Sequence, residues 1–397
     1  MDITIIPKKL TGCVPAIPSK SQAHRLLICA AFADSPTILH CPDTNRDIEA
    51  TADCLNALGA SISRTTDGYT VTPAVKIPET AVLNCCESGS TLRFMLPVAG
   101  ALGVNTTFMM EGRLPHRPLS PLWEEMERMG CRLNRPTENT LHCEGKLRPG
   151  NYSISGSVSS QFITGLLLAC ALMDGESTVT VTGKLESKPY VEMTQKAMGL
   201  FGIATGNYRI TGGSLKSPGM VTVEGDWSNA AFFLGAQALG SDIAVSNLDP
   251  DSAQGDRVCA QLIPALSNHC TVSAADIPDL VPILSVVAAA KKGAVFTDIQ
   301  RLRLKESDRV ASVIAMLEAL GGKAYATEDT LTVLPCRFRG GTVDACSDHR
   351  IAMSAAIAAT AADGPVSILG AQCVSKSYPA FWEEYQRLGG YYELNLR

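Results

Sequence analysis

The sequence predicts an α/β protein of two domains, each assembled from three copies of one helix-and-strand unit. One helix type recurs six times at a spacing of about 70 residues, opening on polar residues and continuing as an Ala-rich apolar body. A second, amphipathic type alternates with it and stops at glycine. Thr- and Val-rich runs of strand character follow most copies of the first type.

In chain order, Lys20-Ser21-Gln22-Ala23-His24-Arg25 leads into Leu26 to Ala33, Ser88-Gly89-Ser90-Thr91-Leu92-Arg93 into Phe94 to Leu102, and Ser159-Ser160-Gln161 into Phe162 to Met173. Asp226-Trp227-Ser228-Asn229 leads into Ala230 to Leu239, Ile277-Pro278-Asp279 into Leu280 to Ala290, and Asp348-His349-Arg350 into Ile351 to Ala362. These bodies are apolar on every face, which places them inside a domain. The amphipathic helices end at Gly59, Gly130, Gly202, Gly321 and Gly389, and Asn268 stands where the fourth copy needs the same left-handed cap. The loop Gly212 to Gly219, rich in turn residues, is the candidate linker between the third and fourth units.

The chain has 397 residues, room for two to three domains at roughly 150 each. Hydrophobic residues make up 46% and charged residues 18%, a composition that excludes extended disorder. With 34 Lys and Arg against 39 Asp and Glu, the net charge of -5 gives no global field for nucleic acid or an anionic membrane. The N-terminus has neither a signal nor a transit pattern, and no apolar run approaches the roughly 20 residues of a membrane span, so a cytoplasmic protein is expected. Fourteen Cys without a C-x-x-C pair read as free thiols, and no His shows metal-ligand spacing. The phosphate-loop, dinucleotide and serine-esterase motifs are missing from the sequence.

The helix starts carry Lys20, Arg25, Arg93 and Arg350. A cation beside the positive end of a helix is unfavourable unless an anion compensates, so several together suggest bound phosphate or carboxylate. Arg113-Leu114-Pro115-His116-Arg117-Pro118 adds two guanidinium forks, although taken alone it reads as a solvated loop. Arg301 to Arg309 alternates basic and apolar residues like a strand edge before a helix, and alone reads as a salt-bridged helix start. Ser187-Lys188-Pro189-Tyr190 alone reads as a turn into a helix, but Lys20 and Lys376 lie in similar Ser-Lys loops.

In their order along the chain, these segments resemble the 5-enolpyruvylshikimate-3-phosphate synthase family. The resemblance covers essentially all 397 residues. It rests on Ser19-Lys20-Ser21-x-x-His24-Arg25, Ser88-Gly89-Ser90-x-x-Arg93, Arg113-x-x-x-Arg117-Pro118, Ser159-Ser160-Gln161 and Ser187-Lys188-Pro189-Tyr190. It continues through Glu224-Gly225-Asp226, Pro278-Asp279, Leu304 to Arg309, Asp348-His349-Arg350 and Lys376-Ser377-x-Pro379. The fold implied is the two-domain enolpyruvyl transferase fold, each domain holding three βαβαββ units, with buried parallel helices whose N-termini face an interdomain cleft. The implied domains are residues 1–18 with 225–397, and 19–224. The reaction implied is transfer of the enolpyruvyl group of phosphoenolpyruvate to the 5-hydroxyl of shikimate 3-phosphate, on the pathway to chorismate, by a monomer without cofactor or metal.

The resemblance implies Glu306 as proton donor to the methylene carbon, Asp279 as base at the hydroxyl, and Lys20 as an aid to proton movement. It assigns Lys20, Gly89, Arg117, Gln161, Arg309, Arg350 and Lys376 to phosphoenolpyruvate. To shikimate 3-phosphate it assigns Lys20, Ser21, Arg25, Ser159, Ser160, Gln161, Ser187, Tyr190, Asp279 and Lys305. Glu87, Trp227 and Arg301 depart from the family's usual residues. The related UDP-N-acetylglucosamine enolpyruvyltransferases pair the first Lys with Asn and carry a loop Cys, whereas here Ser21 follows Lys20 and no Cys lies between Cys86 and Cys131. A non-catalytic anion-binding protein would have no need of Asp279 and Glu306.

Overall fold

Alanine-rich sequence with few polar side chains forms a helix that can be surrounded on all sides, and six such helices organise the structure. The computed structural model describes residues 1–395. Its helices alternate between interior and surface: α1 (Lys20–Ala31) and α2 (Arg46–Ala57), α3 (Gly89–Leu102) and α4 (Leu122–Arg128), α5 (Ser160–Ala171) and α6 (Lys188–Leu200). Then follow α7 (Trp227–Ala238) and α8 (Cys259–Ala265), α9 (Val281–Ala290) and α10 (Arg309–Ala319), and α11 (His349–Ala359) and α12 (Phe381–Arg387). The odd-numbered helices are buried along nearly their whole length. Ser88, Ser159, Asp226 and Asp348 cap four of them, each side chain accepting a first-turn N–H.

The chain divides into two compact units, Met1–Ile17 with Gly225–Arg397, and Pro18–Glu224. Each has its own apolar core, around α7, α9 and α11 in the first and around α1, α3 and α5 in the second. Gly212 to Gly219 is not the linker that its composition suggested. It lies inside the second unit, where Asp34 N–H donates to the Leu215 carbonyl, Lys216 N–H to Phe201 and Ser217 N–H to the Asp34 carboxylate.

The βαβαββ pattern is complete in the repeat of α3 and α4. Thr80–Asn84 pairs parallel to Asn105–Met109, which pairs antiparallel to Thr140–Gly145 and that to Cys131–Thr137. The repeat of α9 and α10 matches it, with Cys270–Ser273, Ala294–Thr297, Thr330–Val333 and Ala324–Ala326 in the same order. Two sheets are completed from distant sequence. Met220–Thr222 supplies the first strand beside Thr37–His40, and Asp2–Ile6 inserts between Val366–Leu369 and Tyr391–Asn395.

The remaining two repeats are shorter than the pattern expected. The repeat of α5 and α6 has three strands, because the chain that would form its fourth leaves to join Thr37–His40. The repeat of α7 and α8 has two, Thr11–Pro15 and Asp242–Ser246, since only residues 266–269 separate α8 from the next strand. Gly59, Gly130, Gly202, Gly321 and Gly389 take the left-handed conformation expected after their helices. Asn268 does not: α8 unwinds through tight turns, Ser267 N–H to Pro264 and Asn268 N–H to Ala265. Residues 301–304 are likewise part of a 3-10 helix, Gln300–Leu304, rather than a strand edge.

Interior helices approach closely where glycine permits. A Cβ on Gly165 of α5 would collide with the Arg93 backbone carbonyl of α3, whereas one on Gly235 of α7 would meet only the movable Ile283 side chain, at 2.8 Å. Gly165→Ala is therefore expected to destabilise the protein by roughly 1–3 kcal/mol and Gly235→Ala by less, read from chemical denaturation of both variants.

Candidate active site

In the unit formed by Met1–Ile17 and Gly225–Arg397, one buried guanidinium gathers three carboxylates. Arg309 opens α10 and is 1% exposed, so its charge requires compensation within the protein. Nε donates to Asp348 Oδ2 at 2.9 Å, Nη1 to Asp279 Oδ1 at 2.6 Å and Nη2 to Glu306 Oε2 at 2.7 Å. Asp348 also caps α11, accepting from the Arg350 N–H at 3.0 Å, and receives the Ser307 hydroxyl at 3.0 Å. Arg350 Nη2 reaches Asp279 Oδ2 at 3.1 Å, and Lys305 Nζ stands 3.6 Å from Asp279 Oδ1.

This charge pattern sets the protonation states. Burial pushes the Asp279 carboxyl up, but Arg350, Lys305 and Arg309 outweigh it and hold the group well below the usual carboxylate range. Lys305 is pulled down to about 8, first by burial and then by Arg309 and Arg301, with Asp279 opposing. Burial also works against the Arg309 charge, yet Asp348, Glu306 and Asp279 more than restore it. The cluster thus holds an ionised carboxylate beside an ammonium that titrates close to neutrality.

In the unit formed by Pro18–Glu224, Lys20 begins α1 and its Nζ donates to Asp47 Oδ2 at 2.9 Å. Asn45 caps α2 by accepting the Ile48 N–H, which places Asp47 in the first turn. Gly89 begins α3, and a Cβ there would fall 2.6 Å from Arg117 Nη1 and 3.0 Å from Arg93 Nη1. A side chain at that position would have to push both guanidinium tips aside. Gln161, in the first turn of α5, accepts from Arg93 Nη1 at 2.8 Å and donates to Ser90 Oγ at 2.9 Å, joining two helix starts. Arg25, 1% exposed, donates from Nε to Thr194 Oγ1 at 2.8 Å and from Nη2 to the Tyr190 carbonyl at 2.9 Å. Its Nη1 donates to the Ser21 carbonyl, so the starts of α1 and α6 are tied together.

Among the residues singled out from the sequence, Asp279, Lys305, Glu306, Arg309 and Arg350 therefore meet in one cluster. Ser21, Arg25 and Tyr190 form a second group, and Gly89, Arg117 and Gln161 gather around the α3 start with Ser159 and Ser160 at the first turn of α5. Ser187 caps α6 in a left-handed conformation, φ 56°. Lys376 closes a 3-10 turn, Ala371–Lys376, and the next residue, Ser377, accepts from Asn229 Nδ2 in the first turn of α7 at 3.2 Å.

Several of the helix-start cations also have partners within the protein. Asp47, Asp279, Glu306 and Asp348 supply internal counter-charge, and hydroxyls and carbonyls receive Arg25. The sequence pattern does not single out Asp47, and it shows Asp348 as a helix start within a motif, not as the partner of Arg309.

The family model described as EPSP synthase (3-phosphoshikimate 1-carboxyvinyltransferase) matches residues 5–274 and 265–385. A 3-phosphoshikimate 1-carboxyvinyltransferase of Clostridium kluyveri is 37% identical over 98% of this chain and 97% of its own length. The chain belongs to the EPSP synthase family. Solved structures agree on the fold: the EPSP synthase of Acinetobacter baumannii superposes with a TM-score of 0.82 at 23% identity, covering all of both chains. The enolpyruvyl transferase NikO of Streptomyces tendae gives 0.74 at 18% identity, over 99% of this chain and 98% of that one.

Because the folded state depresses the Asp279 carboxyl, the stability it provides is complete above the ordinary carboxylate pKa and is lost as pH falls through the lower folded value. Asp279→Asn is expected to cost about 3 kcal/mol at pH 7. The gap between variant and parent in urea unfolding should narrow once the pH drops below about 4. A gap independent of pH would contradict the assignment.

Proposed function

We infer that this chain transfers the enolpyruvyl group of phosphoenolpyruvate to the 5-hydroxyl of shikimate 3-phosphate, releasing phosphate. Membership of the EPSP synthase family supports the reaction, and the observation that carries the residue roles is the fork of Arg309 across Asp279 and Glu306. Two carboxylates a guanidinium apart suit a reaction in which one carbon gains a proton while a hydroxyl loses one.

The steps balance as follows. Glu306, protonated from solvent once substrate anions draw Arg309 away from it, gives its proton to the methylene carbon of phosphoenolpyruvate, and Asp279 takes the proton of the 5-hydroxyl as its oxygen bonds to carbon 2. The tetrahedral adduct then loses phosphate by cleavage of its carbon–oxygen bond, the phosphate taking the proton from Asp279, while a proton of the methyl carbon returns to Glu306 and restores the double bond. In the empty cluster Asp279 is a weak base, since Arg350, Lys305 and Arg309 face it. Substrate phosphate and carboxylate groups would draw those cations to themselves and raise the Asp279 pKa toward the range where it accepts a proton.

Lys20, Gly89, Arg117, Gln161, Arg309, Arg350 and Lys376 would hold phosphoenolpyruvate. Ser21, Arg25, Ser159, Ser160, Gln161, Ser187 and Tyr190, with Lys20, Asp279 and Lys305, would hold shikimate 3-phosphate. Such forks and point charges act by positioning and by electrostatic stabilisation of the developing charge. The two domains are taken as residues 1–18 with 225–397, and 19–224. We further infer a cytoplasmic monomer; among the described residues no helix is long and apolar enough to cross a membrane.

Phosphate release from phosphoenolpyruvate should require shikimate 3-phosphate, and Glu306→Gln and Asp279→Asn should each lower kcat by about 100-fold or more. Release without the acceptor, or full activity in both variants, would refute the assignment. Since Lys305 titrates at about 8, KM for shikimate 3-phosphate should rise above that pH, and Lys305→Arg should move the rise to higher pH. An unchanged profile in the variant would exclude Lys305 as its origin.

A further inference from the structure

Behind Lys20, Asp47 and Gly89, a file of buried polar side chains connects the N-terminal parts of α1, α2 and α3. His24 Nδ1 lies 2.7 Å from Thr51 Oγ1, and Thr51 Oγ1 lies 2.7 Å from Thr91 Oγ1. Thr91 Oγ1 in turn is 2.7 Å from Ser88 Oγ and 3.3 Å from the Asp47 carbonyl oxygen. His24, Thr51, Thr91 and Ser88 are each 0% exposed. Helical spacing explains the placement: His24 is one turn beyond Lys20, Thr51 one turn beyond Asp47, and Thr91 lies within the turn that Gly89 opens.

The protons can be counted. A hydroxyl has one proton to give and two lone pairs to receive. If His24 donates from Nδ1, Thr51 passes its proton to Thr91 and Thr91 passes its own to Ser88 Oγ at 2.7 Å, with the Asp47 carbonyl the longer acceptor at 3.3 Å. Ser88 also accepts the Thr91 N–H at 3.2 Å, so both of its lone pairs are used. The opposite tautomer would place the proton on Nε2, which is buried and has no hydrogen-bond partner, with the Phe94 ring edge-on at 6.1 Å between centroids. An orphaned buried N–H is costlier and rarer than an unused lone pair. Burial pushes the imidazole down to about 3, Asp47 opposing and Lys20 and Arg25 adding to the effect, so the ring is neutral at working pH.

We propose that His24, Thr51, Thr91 and Ser88 form a one-way hydrogen-bond chain that positions Lys20, Asp47 and Gly89 for phosphoenolpyruvate, a role that rests on the reaction inferred above. None of the four is placed in contact with substrate; they are positioning residues. The chain fixes three helix starts relative to one another with directional bonds, where apolar packing alone would let each helix slide by a fraction of an ångström.

Thr51→Val keeps the shape of the side chain and removes its hydroxyl, while Thr51→Ser keeps the hydroxyl. Steady-state kinetics should give an increase of about tenfold in KM for phosphoenolpyruvate in Thr51→Val, with KM for shikimate 3-phosphate changed far less and Thr51→Ser close to the parent. Equal losses in the two variants, or an unchanged KM in Thr51→Val, would overturn the proposal. Nitrogen-15 NMR of the unaltered chain reads the tautomer directly: a neutral His24 protonated on Nδ1 from pH 5 to 8 is expected, and a proton on Nε2 or a titrating ring would overturn it. That reading needs no turnover. A parent chain that releases no phosphate would therefore sink the reaction, while the tautomer still decides the hydrogen-bond chain.

Discussion

A guanidinium cannot be taken almost wholly out of water without counter-charge, and Arg309 imposes that constraint on everything around it. Desolvation costs several kcal/mol per ion, and a single pair near 4 Å returns only about 4 kcal/mol at an effective dielectric of 20. Three carboxylates answer the charge, each on one nitrogen of the fork. With Arg350 and Lys305 the cluster sets three cations against Asp279, Glu306 and Asp348. Under the proposed reaction, an incoming phosphate would displace carboxylates from arginines. That exchange would convert Asp279 from a suppressed base into a usable one and so link binding of the anion to the chemistry that follows.

The other unit solves the same problem differently. Arg25 rests on hydroxyls and backbone carbonyls, and Arg93 donates to the Gln161 amide and the Pro118 carbonyl. Lys20 is the member paired to a carboxylate, Asp47. Helix starts add partial positive charge at α1, α3 and α5. The first unit thus holds carboxylates among cations, whereas in the second Arg25 rests on neutral dipoles and Lys20 on a carboxylate.

Much of this was legible from residue pattern. Ala-rich bodies behind polar starts located all six interior helices, because burial on every face leaves no other composition. Glycine marked the surface helix ends because only it enters the left-handed region without strain. Strand exchange was hidden: Met220–Thr222 and Asp2–Ile6 complete sheets far from them in sequence, and local periodicity carries no information about a partner. The 3-10 segment at residues 300–304 was misread because its alternation of basic and apolar residues is also that of a strand. Internal counter-charge was hidden for a related reason. The spacing between Arg309 and Asp348, or Lys20 and Asp47, says nothing of proximity until the helices are packed.

The dependence on Arg309 is most directly measured by a double-mutant cycle in chemical unfolding with Arg309→Gln, Asp348→Asn and the pair together. If Asp348 anchors the guanidinium, each single variant leaves a buried charge or donor unanswered. The double variant should then recover a coupling of about 1–3 kcal/mol relative to the sum of the singles. Losses that simply add would mean that the two side chains stabilise the fold independently, and that the carboxylate cluster is not organised around this arginine.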